Sequence, residues 1–316
     1  MAAQAPMDFG TRPWLVQATR DKSLHLVDVL DRSLHEWFIP EMEGKTCLGC
    51  VYDGSWLIAL DESTSECFLL HLTTVPRRRN KIQLPPLRAP LEFLSTCAML
   101  EHPGHPDCTV VITSDVRSLL HCRPGDQKWT RLVTPPLQRQ GIIAFSHTVI
   151  NYEGKLYSFA SMADLVVLDL ADGVVPVRHM GTINDDEVRV WSGYRIFVES
   201  SGDLFAVLIQ ELGFLCSDGV LTDIAVFRLD LDEPMAWKKV DSIGFDRAFV
   251  IASGYGFSCD ATHGRLEGNC VYLVWSCCDC ERLYKFCLDD MTVSFHQILP
   301  RPTHNWCRAF WSVPAK

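Results

Sequence analysis

Short apolar runs separated by polar turns dominate the chain. Segments such as SLHLVDVL, GSWLIAL, CTVVITS, KLYSFAS and DLVVLDL are rich in Val, Ile, Leu and Phe and are bounded by Gly, Asp, Asn, Ser or Pro. This pattern predicts β-strands joined by tight turns. Few stretches show a sustained helical period, and the best helix candidate, Leu91 to Glu101, is also compatible with a strand. We therefore expect an all-β protein.

A repeat organises the predicted strands. Several units share one plan of an inner strand, a Gly turn, a second strand, a polar turn, a third strand and a short last strand, and HTVINYEGKLYSFASMADLVVLDLADGVVPVRHM is the clearest. The last strands recur at intervals of about 45 to 60 residues, where a four-stranded propeller blade needs about 40–50. The longer intervals are predicted to hold the surplus polar loops ELGFLCSDGVLT and GFSCDATHGRLEG. The predicted last strands centre near Trp37, Ile82, Trp129, Val177, Trp237 and Phe295.

This repeat predicts a single β-propeller, with six four-stranded blades favoured over five or seven. The first blade has only three predicted strands, and the C-terminal WCRAFWSVP is expected to supply the fourth. Pairing of the two chain ends would close the ring and remove exposed sheet edges. We expect residues 1–12 to be a disordered or extended N-terminus and residues 13–316 to form one propeller domain.

Composition and net charge limit the classes of partner that this protein is expected to bind. The chain is 47% hydrophobic and 22% charged, as in a well-packed protein, and its formal net charge is -10. An acidic surface has no general attraction to nucleic acid or anionic lipid, so we expect neither as a partner. The first residues lack the pattern of a signal peptide, and no apolar run approaches the roughly 20 residues of a membrane span. We expect a monomer in the cytoplasm or nucleus with reduced thiols.

An ordered series of segments carries a family resemblance. GSWLIALDES is followed by IQLPPL, GDQKWTRL, YRIFVESSGDLFAVLIQ and VFRLDLDEPMAWKKVDSIGFDRAFVIASGYGFSCDATHGRLEGNCVYLVW. Together they span about Gly54 to Phe295. This series resembles the plant KIB-type, or F-box-associated, β-propeller family that is common in grasses. In the same register, the conspicuous side chains are expected to pack within or between blades: Trp56, Trp129, Trp237 and Tyr157.

The resemblance implies a function. In the best-understood members of this family an F-box precedes the propeller and docks onto a ubiquitin-ligase scaffold, and the resemblance implies that the propeller serves as the recognition part. Here the strand pattern begins near Trp14, so we expect no F-box in this sequence. The implied function is a non-catalytic propeller that recognises a protein, related to ubiquitin-ligase receptors, with the F-box element supplied elsewhere or lost.

Three stretches contain residue types that bind phosphate or metal. GKT at Gly44 to Thr46 lacks the glycine that a phosphate loop needs five positions before it. HPGHPDC, residues 102–108, offers histidine, aspartate and cysteine, yet its Pro and Gly also mark an ordinary loop. Cys47 and Cys50 have C-x2-C spacing, but they lie on a predicted strand without a matching pair. We expect loops and strands at these positions and no metal or cofactor.

Two charged runs are weaker candidates. RRRNK is the only compact basic run, and its arginines, Arg77, Arg78 and Arg79, are predicted to lie in a solvated loop or to contact an acidic partner surface. NDDE, residues 184–187, lacks the spaced oxygen ligands of a calcium loop, so a solvated loop is predicted there too.

The stretch NCVYLVWSCCDCERLYKFC holds five of the fourteen cysteines. The family register makes NCVYLVW and RLYKFC adjacent antiparallel strands, with Cys277, Cys278 and Cys280 at the turn between them. Cys270 and Cys287 then lie at the opposite end of the hairpin, too far away to share one site with the turn. We expect free thiols at this turn, and whether they are redox active stays open.

Catalytic motifs do not stand out. The sequence has neither a G-x-S-x-G elbow nor an H-E-x-x-H pair, and no acidic position repeats on the predicted inner strands. We therefore expect no catalytic residues. The alternative is a metal-dependent six-bladed propeller hydrolase, which would need Asp, Glu, Asn or His side chains that converge on the central channel. An apolar channel would favour binding instead.

Overall fold

Twenty-five β-strands, numbered in chain order, and one short 3-10 helix, Pro40–Met42, make up the regular structure of the described chain. A computed structural model of the protein describes residues 13–18, 24–28, 33–37, 39–52, 54–72, 81–90, 96–115, 118–133, 148–159, 164–168, 170, 178–182, 194–212, 220–230, 236–252, 254–262, 266–276, 281–299 and 309–312. The all-β prediction is confirmed. Of the two alternatives left open for Leu91 to Glu101, the strand is confirmed where the stretch is described, because Cys97–Leu100 is a strand whose side chains are mostly buried between two sheets.

The described strands form six hydrogen-bonded sheets that follow one another along the chain. Sheet 1 contains β1 (Trp14–Ala18), β2 (Leu24–Val27), β3 (Leu34–Trp37) and β25 (Ala309–Ser312), and sheet 2 contains β4 (Thr46–Val51), β5 (Trp56–Leu60), β6 (Cys67–His71) and β7 (Lys81–Leu84). Sheet 3 contains β8 (Cys97–Leu100), β9 (Thr109–Asp115), β10 (Ser118–Cys122) and β11 (Thr130–Val133), and sheet 4 contains β12 (Val149–Tyr152), β13 (Lys155–Phe159), β14 (Asp164–Leu168) and β15 (Arg178–Thr182). Sheet 5 contains β16 (Tyr194–Ser200), β17 (Asp203–Leu212), β18 (Val220–Asp230) and β19 (Ala236–Val240). Sheet 6 contains β20 (Arg247–Ala252), β21 (Tyr255–Asp260), β22 (Cys270–Ser276), β23 (Glu281–Cys287) and β24 (Thr292–Leu299).

The two ends of the chain pair in sheet 1. Strand β25 lies antiparallel to β1, with Leu15 opposite Trp311, and both side chains are buried. The three N-terminal strands therefore receive their fourth strand from the C-terminus, as the incomplete first repeat predicts. This pairing leaves no open edge between β1 and the rest of the ring.

Apolar clusters join each sheet to the next and close the ring. Sheets 4 and 5 show the packing well, because the rings of Phe159 and Phe197 stack with their centroids 4.4 Å apart. Equivalent clusters lie between sheets 1 and 2, 2 and 3, 3 and 4, and 5 and 6, and a further one joins sheet 6 back to sheet 1. The structure is thus a closed ring of sheets packed face to face, which is the architecture of a β-propeller.

The tryptophans and tyrosine assigned to packing take that role. Trp56, Trp237 and Tyr157 are buried in clusters between sheets. Trp129 packs against the cluster of sheets 2 and 3, and its indole Nε1–H donates to the carbonyl oxygen of Pro85 at 2.9 Å. This bond ties the start of the last strand of sheet 3 to the segment that follows sheet 2.

Tight turns with left-handed backbone join the first two strands of sheets 4 and 5. In each, a non-glycine residue and the following glycine both have positive φ: 50° and 71° at Glu153 and Gly154, and 55° and 84° at Ser201 and Gly202. Two successive positive φ values define the type I′ turn, whose twist matches that of a β-hairpin. The glycine of each repeat is therefore a turn residue, as predicted.

Sheet 6 departs from the predicted plan. It has five strands in the order β21-β20-β22-β23-β24, so the expectation of four strands in every blade is wrong for this sheet. The GFSCDATHGRLEG stretch, predicted as surplus polar loop, contributes β21, and β20 lies between β21 and β22, parallel to β22. Strand β21 was missed because its glycine, serine and aspartate are typical of loops, whereas here small residues allow close packing of inner strands.

The other predicted surplus loop is also partly strand. Strand β17 continues to Leu212 and β18 begins at Val220, and these two residues pair in register. The intervening residues 213–219 and the predicted N-terminal segment 1–12 lie outside the described residues. The described residues contain no helix with the length and hydrophobicity of a membrane span.

Candidate functional site

A single tyrosine crosses the centre of the ring. Tyr255 begins β21, the strand at the inner edge of sheet 6, yet its hydroxyl oxygen accepts the N–H of Cys97 in sheet 3 at 2.8 Å. The same side chain contacts sheet 2, since a Cβ added at Gly49 would lie 2.2 Å from the Tyr255 hydroxyl oxygen. Sheet 3 lies opposite sheet 6 in the ring, and sheet 2 is separated from sheet 6 by sheet 1. Tyr255 is only 9% exposed, so its ring fills the centre.

Close packing against sheet 5 holds β21 in this position. A Cβ on Gly256 would lie 2.8 Å from the carbonyl oxygen of Phe197, so glycine is required for the approach of the two backbones. Beside it, the hydroxyls of Ser258 and Ser200 lie 2.7 Å apart, within hydrogen-bond distance. The side chain of Phe257 packs on the apolar clusters that border sheets 1 and 3. The described side chains of β21 near the centre are thus mostly apolar or hydroxylic.

An aromatic and imidazole cluster lies on the rim formed by the first turns of sheets 2 and 3. We call Tyr52, Trp56, His71 and His102 the Tyr52 rim cluster. The ring centroids of Tyr52 and His102 are 5.3 Å apart, and those of Trp56 and His71 are 4.7 Å apart. His102 also lies edge-on to Trp56, with centroids 6.1 Å apart. The four rings therefore form one continuous cluster across two sheets, in which Tyr52 and His102 are exposed and Trp56 is buried.

Tyr52 is an exposed member of this cluster, and its backbone is left-handed. It is 40% exposed and has a φ of 51°, a left-handed value that is uncommon for a bulky side chain. Glu153 and Ser201, in the corresponding turns of sheets 4 and 5, have nearly the same φ, so this value belongs to the turn. The hairpin between β4 and β5 thus presents an aromatic side chain to solvent.

The HPGHPDC stretch forms a compact loop beside the cluster. His102 Nδ1 accepts the N–H of Gly104 at 3.1 Å, and His105 Nδ1 accepts the N–H of Asp107 at 3.2 Å. Both imidazoles are exposed, whereas Cys108 is fully buried in the apolar cluster of sheets 2 and 3. The loop does not bring its histidine, aspartate and cysteine ligands together, and it instead presents the two imidazoles on the rim.

Charge and protonation at this rim follow from its contacts. Burial, with His102 as a second cause, lowers the pKa of His71. The lowered pKa favours the neutral form of the His71 imidazole. In the loop that carries His102, the exposed Asp107 lies 3.7 Å from a guanidinium nitrogen of the exposed Arg123.

The GKT stretch is part of the structural framework of sheet 2. Lys45 forms an ion pair with Asp61, and the Thr46 hydroxyl donates to Glu62 at 2.5 Å. Asp61 also accepts hydrogen bonds from the backbone and hydroxyl of Ser63. Lys45, and next the Ser63 hydroxyl, hold the pKa of Asp61 well below its ordinary value. The Lys45 ammonium thus has a carboxylate partner at the entry to sheet 2.

Two pairs of described cysteines bear on the predicted metal sites. Cys47 and Cys50 are buried in the cluster of sheets 1 and 2, and burial raises the pKa of the Cys50 thiol well above its ordinary value. Cys270 and Cys287 lie directly opposite each other on β22 and β23, as the family register predicts. Their sulfur atoms and a carboxylate oxygen of Glu267 all lie within 4.8 Å of one another. Burial and then Cys287 raise the pKa of Cys270 to about 12.

Several predicted site residues lie outside the described part of the chain. They are the basic run with Arg77, Arg78 and Arg79, the acidic run at residues 184–187, and the turn cysteines Cys277, Cys278 and Cys280. Their expected roles stay predictions.

Sequence reasoning missed the central and the rim residues. Tyr255 stands between two glycines in the stretch SGYGF, and this small-large-small pattern is the one sequence signal for a side chain that projects from a tightly packed backbone. Gly49 is equally inconspicuous in the sequence. The contact between Tyr52 and His102 joins two turns that are 50 residues apart, and no local pattern indicates it.

The closed ring of sheets places the protein in the β-propeller class. The sequence profile of the KIB1-4 β-propeller family matches residues 14–306, and the chain belongs to this family. The resemblance carried by the repeats is therefore confirmed. A comparison with curated protein sequences returns no match.

Solved structures with similar overall shape are distant in sequence. TolB from Acinetobacter baumannii is 12% identical with a TM-score of 0.45, and the alignment covers 98% of this chain and 68% of TolB. The β-propeller domain of Cps50 (Swd1) from Myceliophteria thermophila is 10% identical with a TM-score of 0.40, covering 98% and 99% of the two chains. The major Malassezia sympodialis allergen Mala s 1 is 9% identical with a TM-score of 0.40, covering 96% and 90%. These overlaps are too loose to transfer a function to this chain.

Proposed function

We propose that this protein is a non-catalytic recognition propeller and that a protein partner binds its Tyr52 rim cluster. The observation that carries this proposal is the position of Tyr255, which bonds to Cys97 across the ring and fills its centre. A partner is thereby directed to the rims, where turns of neighbouring sheets lie side by side on a rigid ring.

The chemistry of the Tyr52 rim cluster suits protein recognition. Tyrosine and tryptophan are enriched among the residues that dominate binding energy, and such residues work best inside a border that excludes water. Tyr52 and His102 form the exposed aromatic centre, and the exposed Asp107–Arg123 pair involves the loop that carries His102. An interface with an apolar centre and a charged rim has the usual anatomy of a specific protein complex.

The alternative, a metal-dependent propeller hydrolase, has less support. Such an enzyme needs several acidic, amide or imidazole groups that point to the central channel. In the described part of the chain, the centre holds the phenol of Tyr255 beside the Ser200 and Ser258 hydroxyls. The one described group of three metal-ligand side chains, at Cys270 and Cys287, lies between the third and fourth strands of sheet 6, away from the inner edge.

The family membership supports a more specific role. We propose that the bound protein is one destined for ubiquitination, and that this propeller is the recognition part of a ubiquitin ligase. The F-box-associated relatives, which the repeat segments resemble, motivate this part of the proposal. It is separable from recognition itself, because the rim can bind a partner whether or not a ligase is present.

Affinity purification from plant tissue followed by mass spectrometry tests both parts. The bait pair is the wild type and a Tyr52→Ala/His102→Ala variant, and the expected result is a partner whose recovery falls at least about tenfold with the variant. Tyr194→Ala is the matched control, because Tyr194 is also an exposed tyrosine, at 50%, but lies at the start of β16 in sheet 5.

The two parts have distinct outcomes. Recovery of ligase scaffold subunits with the wild type supports the ubiquitin role, and their reproducible absence beside a clean partner contradicts that role alone. Equal recovery of the partner by the wild type and the Tyr52→Ala/His102→Ala variant contradicts recognition at the rim.

A further inference from the structure

Three metal-ligand side chains converge at one end of the hairpin formed by β22 and β23. Cys270 and Cys287 are cross-strand neighbours, and Glu267 approaches them from the turn that precedes β22. Their ligand atoms lie within 4.8 Å of one another. In a tetrahedral zinc site with bonds of about 2.0–2.3 Å, ligand atoms are roughly 3.5 Å apart, so only small side-chain movements are needed.

The strand geometry places the two thiols on one face of sheet 6. Alternate residues of a strand share a face, so Cys270 and Tyr272 of β22 lie on the same side as Lys285 and Cys287 of β23. This face packs against sheet 1. Cys270 is fully buried whereas Cys287 is partly exposed. The thiol pair thus has a dry side and a side that is open to an entering ion.

The turn that carries Glu267 is held rigidly. Gly268 packs directly on Phe245, since an added Cβ would lie 1.8 Å from the Phe245 carbonyl oxygen. The backbone N–H of Glu267 donates to the Tyr272 hydroxyl at 3.0 Å. Next in the chain, Asn269 is fully buried with a left-handed φ of 55°. Fixed outer contacts of this kind orient metal ligands before the ion arrives.

Two charged side chains border the site. The Lys285 ammonium forms an ion pair with Glu267. Three residues beyond Cys287, the carboxylate of Asp290 accepts the hydroxyl of Thr292 at 2.6 Å. Lys285 is therefore the cation that an incoming metal has to displace from Glu267.

We propose that Cys270, Cys287 and Glu267 form a binding site for a thiophilic divalent cation, Zn²⁺, with water in the fourth position. Two thiolates with carboxylate oxygens are a ligand set that zinc accepts in tetrahedral geometry. Binding exchanges the protons of the two thiols for one Zn²⁺ and releases them to solvent. The bound ion joins β22, β23 and the Glu267 turn. This proposal departs from the sequence-based expectation of no metal site, and it is independent of the proposed recognition function.

Cobalt substitution tests the site on the full chain. Metal-free, reduced protein is titrated with Co²⁺, and the expected result is one equivalent that gives thiolate-to-cobalt charge-transfer absorption and the intense visible bands of tetrahedral Co²⁺. Zn²⁺ is expected to abolish these bands by displacement. An absence of thiolate charge transfer overturns the proposal.

Variants locate the site. Cys287→Ser is expected to remove the charge-transfer bands and to weaken Zn²⁺ binding about 100-fold, and Glu267→Gln to weaken it about tenfold. Lys285→Gln removes the competing cation and is expected to tighten binding roughly two- to fivefold. Cys259→Ser is the control, since Cys259 is a buried cysteine of β21 that is not one of the three proposed ligands. Unchanged spectra and affinity in both Cys287→Ser and Glu267→Gln place the metal elsewhere and overturn the proposal.

A measurement on the wild type covers the case in which a cysteine variant fails to fold. The rate of Cys287 alkylation is followed by peptide mass spectrometry with and without one equivalent of Zn²⁺. Zinc is expected to slow alkylation of the partly exposed Cys287 thiol at least about tenfold, because a metal-bound thiolate is a poorer nucleophile. An unchanged rate, or a disulfide between Cys270 and Cys287 in protein purified under reducing conditions, overturns the proposal.

Discussion

The hydroxyl oxygen of Tyr255 accepts the backbone N–H of Cys97 at 2.8 Å, although the two residues are 158 positions apart and belong to opposite sides of the ring. One side chain of sheet 6 thereby contributes to the inner edge of sheet 3. The buried N–H of an inner strand gains a partner, and the centre of the propeller is filled.

Removal of the Tyr255 hydroxyl is expected to destabilise the protein. Tyr255→Phe keeps the ring but leaves the Cys97 N–H without this acceptor, and a buried donor that loses its partner costs about 1–3 kcal/mol. Urea denaturation measures the change in the free energy of unfolding. Tyr194→Phe is the control and is expected to be neutral, because Tyr194 is half exposed. Equal stability of Tyr255→Phe and the wild type contradicts a structural role for the bond.

A methyl group at Gly49 is expected to collide with the same tyrosine. The added Cβ would lie 2.2 Å from the Tyr255 hydroxyl oxygen, so Gly49→Ala is expected to cost about 1–3 kcal/mol through overpacking. Gly104→Ala serves as the control, since its Cβ would meet only ordinary contacts near 3.4 Å. In the double variant Gly49→Ala/Tyr255→Phe the clash with oxygen is absent, so the loss is expected to be smaller than the sum by at least about 0.5 kcal/mol. Additive losses contradict direct contact between the two residues.

Asn269 is the polar centre of the turn before β22, and its removal is expected to be costly. Its side-chain oxygen accepts the N–H of Ile243 at 2.9 Å, and its side-chain nitrogen donates to Asp289 at 2.6 Å. Asn269→Ala also places alanine at a φ of 55°, so we expect a loss of roughly 2–4 kcal/mol in chemical denaturation. Asn151→Ala, which removes one amide hydrogen bond to Met99, is the comparison and is expected to lose about 1 kcal/mol. A smaller loss for Asn269→Ala than for Asn151→Ala contradicts this account.

The Lys45–Asp61 pair predicts a specific acid dependence of stability. The pKa of Asp61 is lower in the folded protein than its ordinary value of 3.8, with Lys45 as the first cause. A group with a depressed folded pKa stabilises the protein above the ordinary value, and this contribution is lost as the pH falls toward the folded pKa. Asp61→Asn is therefore expected to lower the free energy of unfolding near neutral pH, and the difference from wild type is expected to shrink below about pH 3.8.

Denaturation curves between neutral and acid pH check this dependence. Asp241→Asn removes the charge of another exposed aspartate, in the segment after β19, and is the control. If Asp61→Asn and Asp241→Asn respond to pH in the same way, the pairing of Asp61 with Lys45 has no special role.

The repeat predicted the ring because each blade carries its own turn and strand signals. Leu15 and Trp311 pair as expected, since a three-stranded first unit required a partner from the other chain end. The role of Tyr255 was not predicted because the glycine and serine residues around it are typical of loops. Only the close packing of β21 against the neighbouring inner strand explains these small residues in a strand. The contact between Tyr52 and His102 depends on how two sheets pack side by side, which the local pattern of either turn does not contain.

The central claim is that a partner is recognised at the rim of a propeller whose centre is filled. Capture of the partner by two tyrosine variants tests this claim most directly. Tyr52→Ala and Tyr255→Phe are compared with the wild type in quantitative capture of the partner recovered by affinity purification, well below the unfolding temperature of either variant. The account predicts at least about tenfold weaker binding for Tyr52→Ala and unchanged binding for Tyr255→Phe. Unchanged binding by Tyr52→Ala together with a loss for Tyr255→Phe would place recognition at the centre and contradict the account.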